Sequence, residues 1–503
     1  MELLFFYATC LIVAVSTVHL LGLFADRRRN LPPGPLPLPL VGNLLSLGAQ
    51  PHRSLARLAA RHGPVMTLRL GTVTTVVAST ADAARDVLQR HDAAFSGRFL
   101  FDGTHAFAHY AHSMVWLPAT SPRWRALRKV CSGELFAPHR LDVNGSLRQE
   151  KVQELVSHVA RLASKGAPVR VGRLAFTTAL NLLSSTIFST DLADLDDSRV
   201  APGEFKAVLA ELNYTVGLPN VSDFFPEVAW LDPQGLRRRI EGLFRQLHAM
   251  INDQIERRIR ERAVAGDSST HTQKNFLDVL LDYRNVDDGR GFERQTILSL
   301  LSDLFSAGTD TSSATVEWAM AELLLNPSSM ARARDELHQV MGSKPVIEES
   351  DIGQFKYLQA IVKETFRLHP LAPFLLPHLA DTTLQVRGYT VPKGARLLVN
   401  VWAIGHDANV WPEPEKFMPE RFLEKEVDFR GRDFELIPFG SGRRMCPGAP
   451  LAVRMVQLML ASMLHRFHWR LPTDVEKNGL DMTERLGLNL SMATPLQAIA
   501  TPV

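Results

Sequence analysis

Residues 439–448 read FGSGRRMCPG and are the most distinctive stretch of the 503-residue sequence. Two glycines permit a tight turn and a close approach to a flat object, against which Phe439 can pack. Cys446 directly precedes a predicted helix, and the positive end of a helix stabilises a thiolate. Arg444 can pair with an anion. A lone cysteine is more often a small buried hydrophobe, but the F-x-x-G-x-R-x-C-x-G spacing favours a ligand-forming thiolate.

The composition around this stretch is that of a packed globular protein. Hydrophobic residues make up 46% and charged residues 22% of the chain, and both values are ordinary for a folded domain. The net charge of only +3 gives no reason to expect a nucleic-acid partner. The three cysteines, Cys10, Cys131 and Cys446, are too few for a disulfide framework and indicate a reducing compartment.

Hydrophobic periodicity predicts a mainly α body with a smaller β region, in one large domain over residues 45–503. Alternating runs at 65–70 and 73–78 predict a hairpin. An apolar stripe from Leu236 to Ile259 and a second run at 451–464 predict helices. Residues 396–401 predict a strand.

Four further motifs lie in a fixed order along the chain: W-x-x-x-R at 124–128, AGTDTS at 307–312, E-x-x-R at 364–367 and PERF at 419–422. Together with residues 439–448 they resemble the cytochrome P-450 monooxygenases, and the resemblance covers essentially the whole chain. Residues 303–311, 316–324 and 447–452 look like the geraniol 8-hydroxylase branch of plant microsomal members. Within that branch they are most similar to the grass diterpenoid (ent-cassadiene-type) hydroxylases of plant defence metabolism.

The resemblance implies the cytochrome P-450 fold and a haem b cofactor whose iron has Cys446 as its axial thiolate and metal ligand. The expected haem-binding residues are Cys446, Trp124, Arg128, Arg444, His378, Phe439, Gly442 and Gly448. Trp124 and Arg128 share a helical face and can both reach one haem propionate. For His378, where plant relatives often have arginine, a simple surface histidine is the alternative. A buried charge cluster of Glu364, Arg367 and Arg421 is expected to hold the fold around the haem loop.

The motif at 307–312 implies oxygen activation on a long central helix, with Thr311 acting on dioxygen and Asp310 relaying protons. Glycine within a helix costs about 1 kcal/mol relative to alanine, and we expect Gly308 to provide close approach to the porphyrin and space for dioxygen. A helix end here is the alternative, but the apolar periodicity continues through Ala319.

Substrate-pocket residues expected from the resemblance are almost all apolar: Phe99, Phe101, Phe107, Met114, Trp116, Leu304, Phe305, Ala307, Phe374, Leu375 and Leu488. Such a wall suits a polycyclic diterpene, with a geraniol-type monoterpenol or a phenolic as alternatives. O2 is the expected co-substrate, and electrons come from NADPH only through a partner NADPH-cytochrome P-450 reductase. A haem-thiolate isomerase or dehydratase, and a membrane haem or lipid binder, are the other classes considered.

Residues 3–24 carry no charged side chain and would span about 33 Å as a helix. Three arginines at 27–29 follow. We therefore expect residues 1–29 to be an uncleaved single-pass anchor in the endoplasmic reticulum membrane, with a lumenal amino terminus and a cytosolic body. A cleaved signal peptide is the alternative. The proline-rich residues 30–44 are expected to form a stiff hinge.

Deletion of residues 2–29 is expected to release much of the protein from membranes without abolishing haem binding. Sedimentation of lysates, with haem absorbance read in pellet and supernatant, measures the release. Release should be partial, because family members also touch the bilayer through apolar loops. Loss of folded haem protein would instead show that the apolar run belongs to the core.

Overall fold

The computed structural model describes Phe6 and residues 29–196, 204–265, 274–285 and 289–503. The predicted anchor therefore lies outside the described residues apart from Phe6. Among those described, no helix combines the length and apolar character that a membrane span requires. The helices are α1 Pro51–His62, α2 Ala81–Arg85, α3 Pro122–Val130, α4 Pro138–Val143, α5 Gly145–Ser164, α6 Val171–Phe188, α7 Phe205–Val216, α8 Leu236–Ala265, α9 Phe276–Asp282, α10 Arg294–Leu325, α11 Pro327–Met341, α12 Lys356–Leu368, α13 Val401–Gly405, α14 Arg421–Glu424, α15 Ala449–Arg466 and α16 Thr473–Asn478.

The strands form a small β region beside the helices. They are β1 Val65–Leu70, β2 Val73–Ala78, β3 Gly97–Arg98, β4 Val169–Arg170, β5 His378–Leu379, β6 Leu384–Val386, β7 Tyr389–Val391, β8 Arg396–Val399, β9 Phe467–Arg470, β10 Glu484–Leu486, β11 Leu490–Met492 and β12 Gln497–Pro502. The largest sheet has the order β1-β2-β8-β5-β3, in which β2 and β8 are parallel. A second sheet has the order β4-β12-β9, and the pairs β6-β7 and β10-β11 are hairpins.

The central helix α10 organises the hydrophobic core. Its 32 residues run unbroken through the motif at 307–312, so the alternative of a helix end there is wrong. Packing against α6, α12 and α15 buries most of its side chains, among them Trp318, which is fully buried. Helices that are apolar on nearly every face belong in the centre of a large core. This placement leaves the polar residues of the motif few ways to reach solvent.

Most of the predicted elements are confirmed. The two alternating runs pair as the antiparallel hairpin β1-β2, with Leu70 opposite Val73, and the two apolar stripes lie in α8 and α15. The prediction of a strand over 396–401 is wrong at its end. The strand ends at Val399, because the side chain of Asn400 accepts a hydrogen bond from the Ala403 N–H at 3.0 Å and starts α13.

The proline-rich segment docks along the exposed edge of β1. The Thr67 N–H donates to the carbonyl of Pro33 at 3.0 Å, and the backbone of Gly42 bridges to Leu70. Asn43 is buried, and its side chain bonds the Arg69 N–H on one side and the carbonyl of Pro35 on the other. Proline lacks an N–H and therefore suits an edge position. The segment is thus attached to the body along its length.

Candidate active site

The loop that carries Cys446 is folded back on itself. The Cys446 N–H donates to the carbonyl of Phe439 at 2.9 Å. Gly442 has a φ of +69°, and a Cβ there would lie 2.2 Å from the carbonyl oxygen of Leu88, so only glycine fits. The ring of Phe439 packs edge-on against Phe366 of α12, at 5.3 Å between centroids. The loop is therefore held against the helix that carries the E-x-x-R motif.

The thiol of Cys446 lies at the amino end of α15. Of the two described cysteines, Cys131 is buried and Cys446 is exposed, so only Cys446 can reach a bound group. Desolvation by the surrounding residues raises the pKa of the Cys446 thiol, because a thiolate is less stable away from water. The N–H groups of Gly448 and Ala449 and the charge of Arg128 act in the opposite direction. A coordinated metal cation deprotonates such a thiol outright.

Glu364, Arg367 and Arg421 come together in one buried cluster. Arg367 donates two hydrogen bonds of 2.7 Å to the two oxygens of Glu364, and Arg421 donates a third at 3.1 Å. The Glu364 and Arg367 side chains are 0% exposed. Both arginines also donate to backbone carbonyls, namely those of Gly405, Pro412, Pro414 and Lys416. The cluster therefore fixes residues 405–421 relative to α12.

Arg98, Arg128 and Arg444 form a second, cationic cluster beside the neutral imidazole of His378. Among the described residues, none of the three arginines forms an ion pair with a carboxylate, although the charge of Asp381 favours the charged form of Arg444. Burial and mutual repulsion lower the pKa of Arg98 to about 9 and of Arg444 to about 10. Arg98 Nε is buried without a hydrogen-bond partner. Buried cations of this kind require an anion, and paired carboxylates match the geometry of the guanidinium group.

Trp124 and His378, both expected at the propionates, already use their single side-chain N–H groups. The indole of Trp124 donates to the carbonyl of Met114 at 3.1 Å and lies under the guanidinium of Arg444, 4.9 Å from its ring centre. His378 is buried in β5 and is not a surface histidine. Its Nδ1 donates to the Phe95 carbonyl at 2.6 Å, and burial lowers its pKa to about 3. Neutral His378 therefore offers only an acceptor at Nε2.

These observations fit a haem. Cys446 would hold the iron, and Arg98, Arg128 and Arg444 would neutralise the propionates. Sequence reasoning missed Arg98 as part of this group. Its only signal was a positive charge within an apolar stretch, and its approach to Arg444 depends on the pairing of β3 with β5.

The oxygen-activation motif lies on a face of α10 that is partly accessible inside an otherwise buried helix. Ala307 is exposed, and Asp310 and Thr311 are half-buried. The Thr311 hydroxyl donates to the Ala307 carbonyl at 2.7 Å. Asp310 accepts a hydrogen bond of 2.7 Å from the side chain of Asn489. Asn489 was not foreseen as a partner of Asp310, because it is 179 residues away in the turn between β10 and β11.

Glycine is required at position 308 for a steric reason that differs from the expected one. A Cβ on Gly308 would lie 2.7 Å from Cδ1 of Leu183 in α6. The absence of a side chain therefore makes room for the neighbouring helix. Because the Cα–Cβ direction of residue 308 points to α6, it does not support the expectation that Gly308 makes space for a porphyrin and dioxygen. The favourable packing of α10 against α6 offsets the free-energy cost of glycine within a helix.

The expected pocket residues fall into separate groups. Phe99, Phe101 and Trp116 form an aromatic wall, with successive edge-to-face contacts of 5.8 Å between ring centres. Phe305 is instead fully buried in the core against Phe188 and Phe205.

The remaining candidates lie on several elements. Phe107 is 37% exposed, with its ring against His248 of α8. Met114 and Leu304 are buried, and the others are half-buried: Phe374, Leu375 and Leu488.

The segment that carries the aromatic wall is fastened to α10 by Asp303. The hydroxyl of Ser113 donates to Asp303 at 2.7 Å, and Nε2 of His109 lies 3.0 Å from the same carboxylate. Asp303, His109 and Ser113 are all buried. A buried carboxylate with several hydrogen bonds resists displacement, so residues 109–113 have a defined place above the central helix.

Cys446→Ala is expected to abolish the red-shifted Soret band that thiolate-bound haem gives with carbon monoxide after reduction. Cys131→Ala is the matched control and should retain the band, because burial raises the pKa of Cys131 to about 12 and keeps it a neutral thiol. Absorbance spectra of the purified variants measure both. An unaltered spectrum in Cys446→Ala would remove Cys446 as the ligand.

Comparisons with known proteins agree with this geometry. The family model described as Cytochrome P450 matches residues 32–496. Geraniol 8-hydroxylases of Swertia mussotii and Catharanthus roseus are each 46% identical over 490 residues, covering 97% of this chain and 97% of each relative. Geranylhydroquinone 3''-hydroxylase of Arnebia euchroma is 42% identical over 502 residues, covering 99% of both chains.

Family members use haem with a cysteine thiolate ligand, O2 and electrons delivered by a reductase. The named hydroxylases among the relatives make an isomerase, a dehydratase or a non-catalytic binder unnecessary as an explanation. The chain therefore belongs to the cytochrome P450 family, in which it is a plant haem-thiolate monooxygenase of family 76, close to geraniol 8-hydroxylase.

Proposed function

We propose that the protein hydroxylates an apolar terpenoid, and that a polycyclic diterpene olefin is its preferred substrate. The observation that carries this proposal is the aromatic wall of Phe99, Phe101 and Trp116. Three rings locked edge to face present a rigid apolar surface, which excludes water and holds a hydrocarbon by shape. A larger skeleton buries more area and gains roughly 25 cal/mol per Å².

The charges near these residues support an uncharged substrate. Arg98 donates to the Leu376 carbonyl at 2.6 Å and belongs to the cationic cluster of the haem site. Arg485 is exposed. An anionic or heavily hydroxylated substrate needs several polar partners, and the aromatic wall offers at most the single indole N–H of Trp116.

A monoterpenol is the second candidate, and the comparisons favour it. Two relatives at 46% identity are named for geraniol, and one at 42% is named for geranylhydroquinone. Both named substrates carry a flexible isoprenoid chain. A rigid polycycle and a short flexible chain need pockets of different size. The relative affinity for a diterpene olefin and for geraniol therefore distinguishes the two candidates.

Bound haem supplies the activation of dioxygen, and the chain's own residues hold the cofactor, shape the pocket and handle protons. A hydroxyl has one proton and two lone pairs. Thr311 can therefore accept a hydrogen bond from water while it donates to the Ala307 carbonyl. Asp310 directly precedes Thr311 in the sequence, and its carboxyl group can exchange a proton with such a water. One oxygen atom enters the substrate and the other leaves as water, with two protons and two electrons from the reductase consumed.

We extend the proposal to the partner and the location, for which the family and the sequence give support. Plant members of the family depend on NADPH-cytochrome P-450 reductase. The charge-free run at 3–24 and the arginines at 27–29 support a single-pass anchor in the endoplasmic reticulum membrane. Its amino terminus is lumenal and its catalytic domain is cytosolic, where the reductase can reach it.

Thr311→Ala is expected to bind haem and consume NADPH with the reductase, but to convert more of the electrons to hydrogen peroxide than to product. The reason is loss of the hydroxyl that holds water at the site. Product, peroxide and NADPH are quantified in the same reaction. Thr309→Ala is the matched control, because the Thr309 hydroxyl is fully buried and bonds only the Phe305 carbonyl. Equal coupling in Thr311→Ala and the wild type would remove Thr311 from the mechanism.

Substrate titrations followed by the high-spin shift of the haem should reach half-saturation at lower concentration with diterpene olefins than with geraniol or naringenin. Trp116→Ala should raise the diterpene concentration needed by roughly tenfold, since a large buried aromatic contact is lost. Phe107→Ala is the control and should change the diterpene concentration at half-saturation by no more than about twofold, because a solvent-exposed contact contributes little.

The outcomes separate the candidates. Tighter binding and turnover of geraniol would replace the diterpene by the monoterpenol. Tightest binding and turnover of naringenin would leave only the monooxygenase chemistry. Equal sensitivity to Trp116→Ala and Phe107→Ala would remove the aromatic wall as the substrate surface.

A further inference from the structure

The hairpin β10-β11 is fastened to the body at its base. Glu484 is buried, and its carboxylate accepts hydrogen bonds of 2.9 Å from Arg53 and 3.0 Å from His52, both in α1. On the opposite strand, the indole of Trp318 in α10 donates to the Leu490 carbonyl at 3.1 Å. The Leu490 N–H donates to the carbonyl of Leu371 at 2.8 Å. Contacts with three separate elements leave the hairpin little freedom to shift.

The tip of the hairpin is fixed as well. A Cβ on Gly217, at the end of α7, would lie 2.2 Å from the backbone nitrogen of Leu488. Backbone atoms at such close approach cannot move inward. The next residue, Asn489, is 9% exposed. Its side chain points to the central helix and donates to Oδ2 of Asp310 at 2.7 Å.

Asp310 has few other partners. Among the residues that the structure describes, Asn489 is the one that donates a side-chain hydrogen bond to the Asp310 carboxylate. Arg485, in the same hairpin, favours its charge from a longer distance. Glu317 lies two helical turns further along α10 and is held by the Leu496 N–H at 2.9 Å. The orientation of the carboxylate therefore depends on a residue of the C-terminal hairpin.

We propose that Asn489 is a positioning residue for proton delivery. It holds Oδ2 of Asp310 and leaves Oδ1 to exchange protons with water beside Thr311. A proton that leaves Oδ1 is replaced from solvent, so the carboxyl returns to its starting state and no electrons are transferred. The inference rests on the proposed monooxygenase mechanism, and it adds a residue that lies outside the AGTDTS motif.

The electrostatics of the site agree with this role. Burial raises the pKa of Asp310, whereas the bond from Asn489 and the charge of Arg485 lower it. The negative charge of Glu317 faces Asp310 along the same helix, and burial also raises the pKa of Glu317. Removal of Asn489 removes one of the two groups that favour the charged form, so Asp310 stays protonated to a higher pH.

The test uses full-length, haem-loaded enzyme with reductase and the substrate that the wild type turns over. Asn489→Leu removes the amide at similar volume, and Asn489→Gln retains it. Product per NADPH should fall by roughly threefold or more in Asn489→Leu, since a hydrogen bond to a charged group is lost. Peroxide should rise correspondingly, and Asn489→Gln should recover part of the coupling. The alkaline limb of product formation, where Asp310 loses the proton that it delivers, should move to higher pH.

A double-variant comparison identifies the route of the effect. If Asn489 acts through Asp310, then Asn489→Leu has no further effect on coupling in an Asp310→Asn background. Leu488→Ala, the neighbouring control, should alter the substrate titration and keep its own effect in that background. An undiminished effect of Asn489→Leu in Asp310→Asn, or wild-type coupling and pH profile in Asn489→Leu, would overturn the proposal. Absence of NADPH-dependent product from the wild type would instead contradict the proposed function.

Discussion

Glu364 is a fully buried carboxylate, and the need to neutralise it constrains the chain that leads into the cysteine loop. Two arginines surround it, one from its own helix and one from residue 421. A buried ion pair that loses one partner typically costs about 3–5 kcal/mol, so neither arginine can leave. Because their remaining N–H groups bond backbone carbonyls of residues 405–416, the path of the irregular chain before the cysteine loop is set by charge neutralisation and not by a sheet or helix.

The cationic cluster of the haem site, unlike the cluster around Glu364, has no buried carboxylate at its centre. Arg98, Arg128 and Arg444 are brought together without an ion pair to a carboxylate among the described residues. Burial lowers the pKa of all three, and a neighbouring arginine charge lowers those of Arg98 and Arg444 further. Their mutual repulsion opposes folding, and a bound dianion would remove it. A ligand that binds only the folded state raises its stability. We therefore expect the stability of this protein to be linked to haem more strongly than the size of its core would suggest.

The central helix also holds the substrate side in place. Asp303 fastens the segment that carries the aromatic wall. Asp310 contacts the C-terminal hairpin through Asn489, and Trp318 fastens the same hairpin at the next residue, Leu490. A single 32-residue helix thus sets the relative positions of two parts of the chain that are far apart in sequence. Rigid secondary structure holds functional groups more precisely than loops do.

The sequence by itself determined the family, the loop that carries Cys446, the hairpin of residues 65–78 and the long helices, because these depend on local spacing and periodicity. It also indicated Glu364, Arg367 and Arg421, through motifs in a fixed order. It did not indicate Arg98 or Asn489, and it grouped Phe107 and Phe305 with the substrate pocket. Those assignments depend on which strands pair and which helices cross, and hence on contacts across 100 residues or more. Apolar side chains look alike in sequence whether they face a core, a pocket or solvent. Only the tertiary structure decided among them, because burial and hydrogen-bond partners arise from packing and not from local spacing.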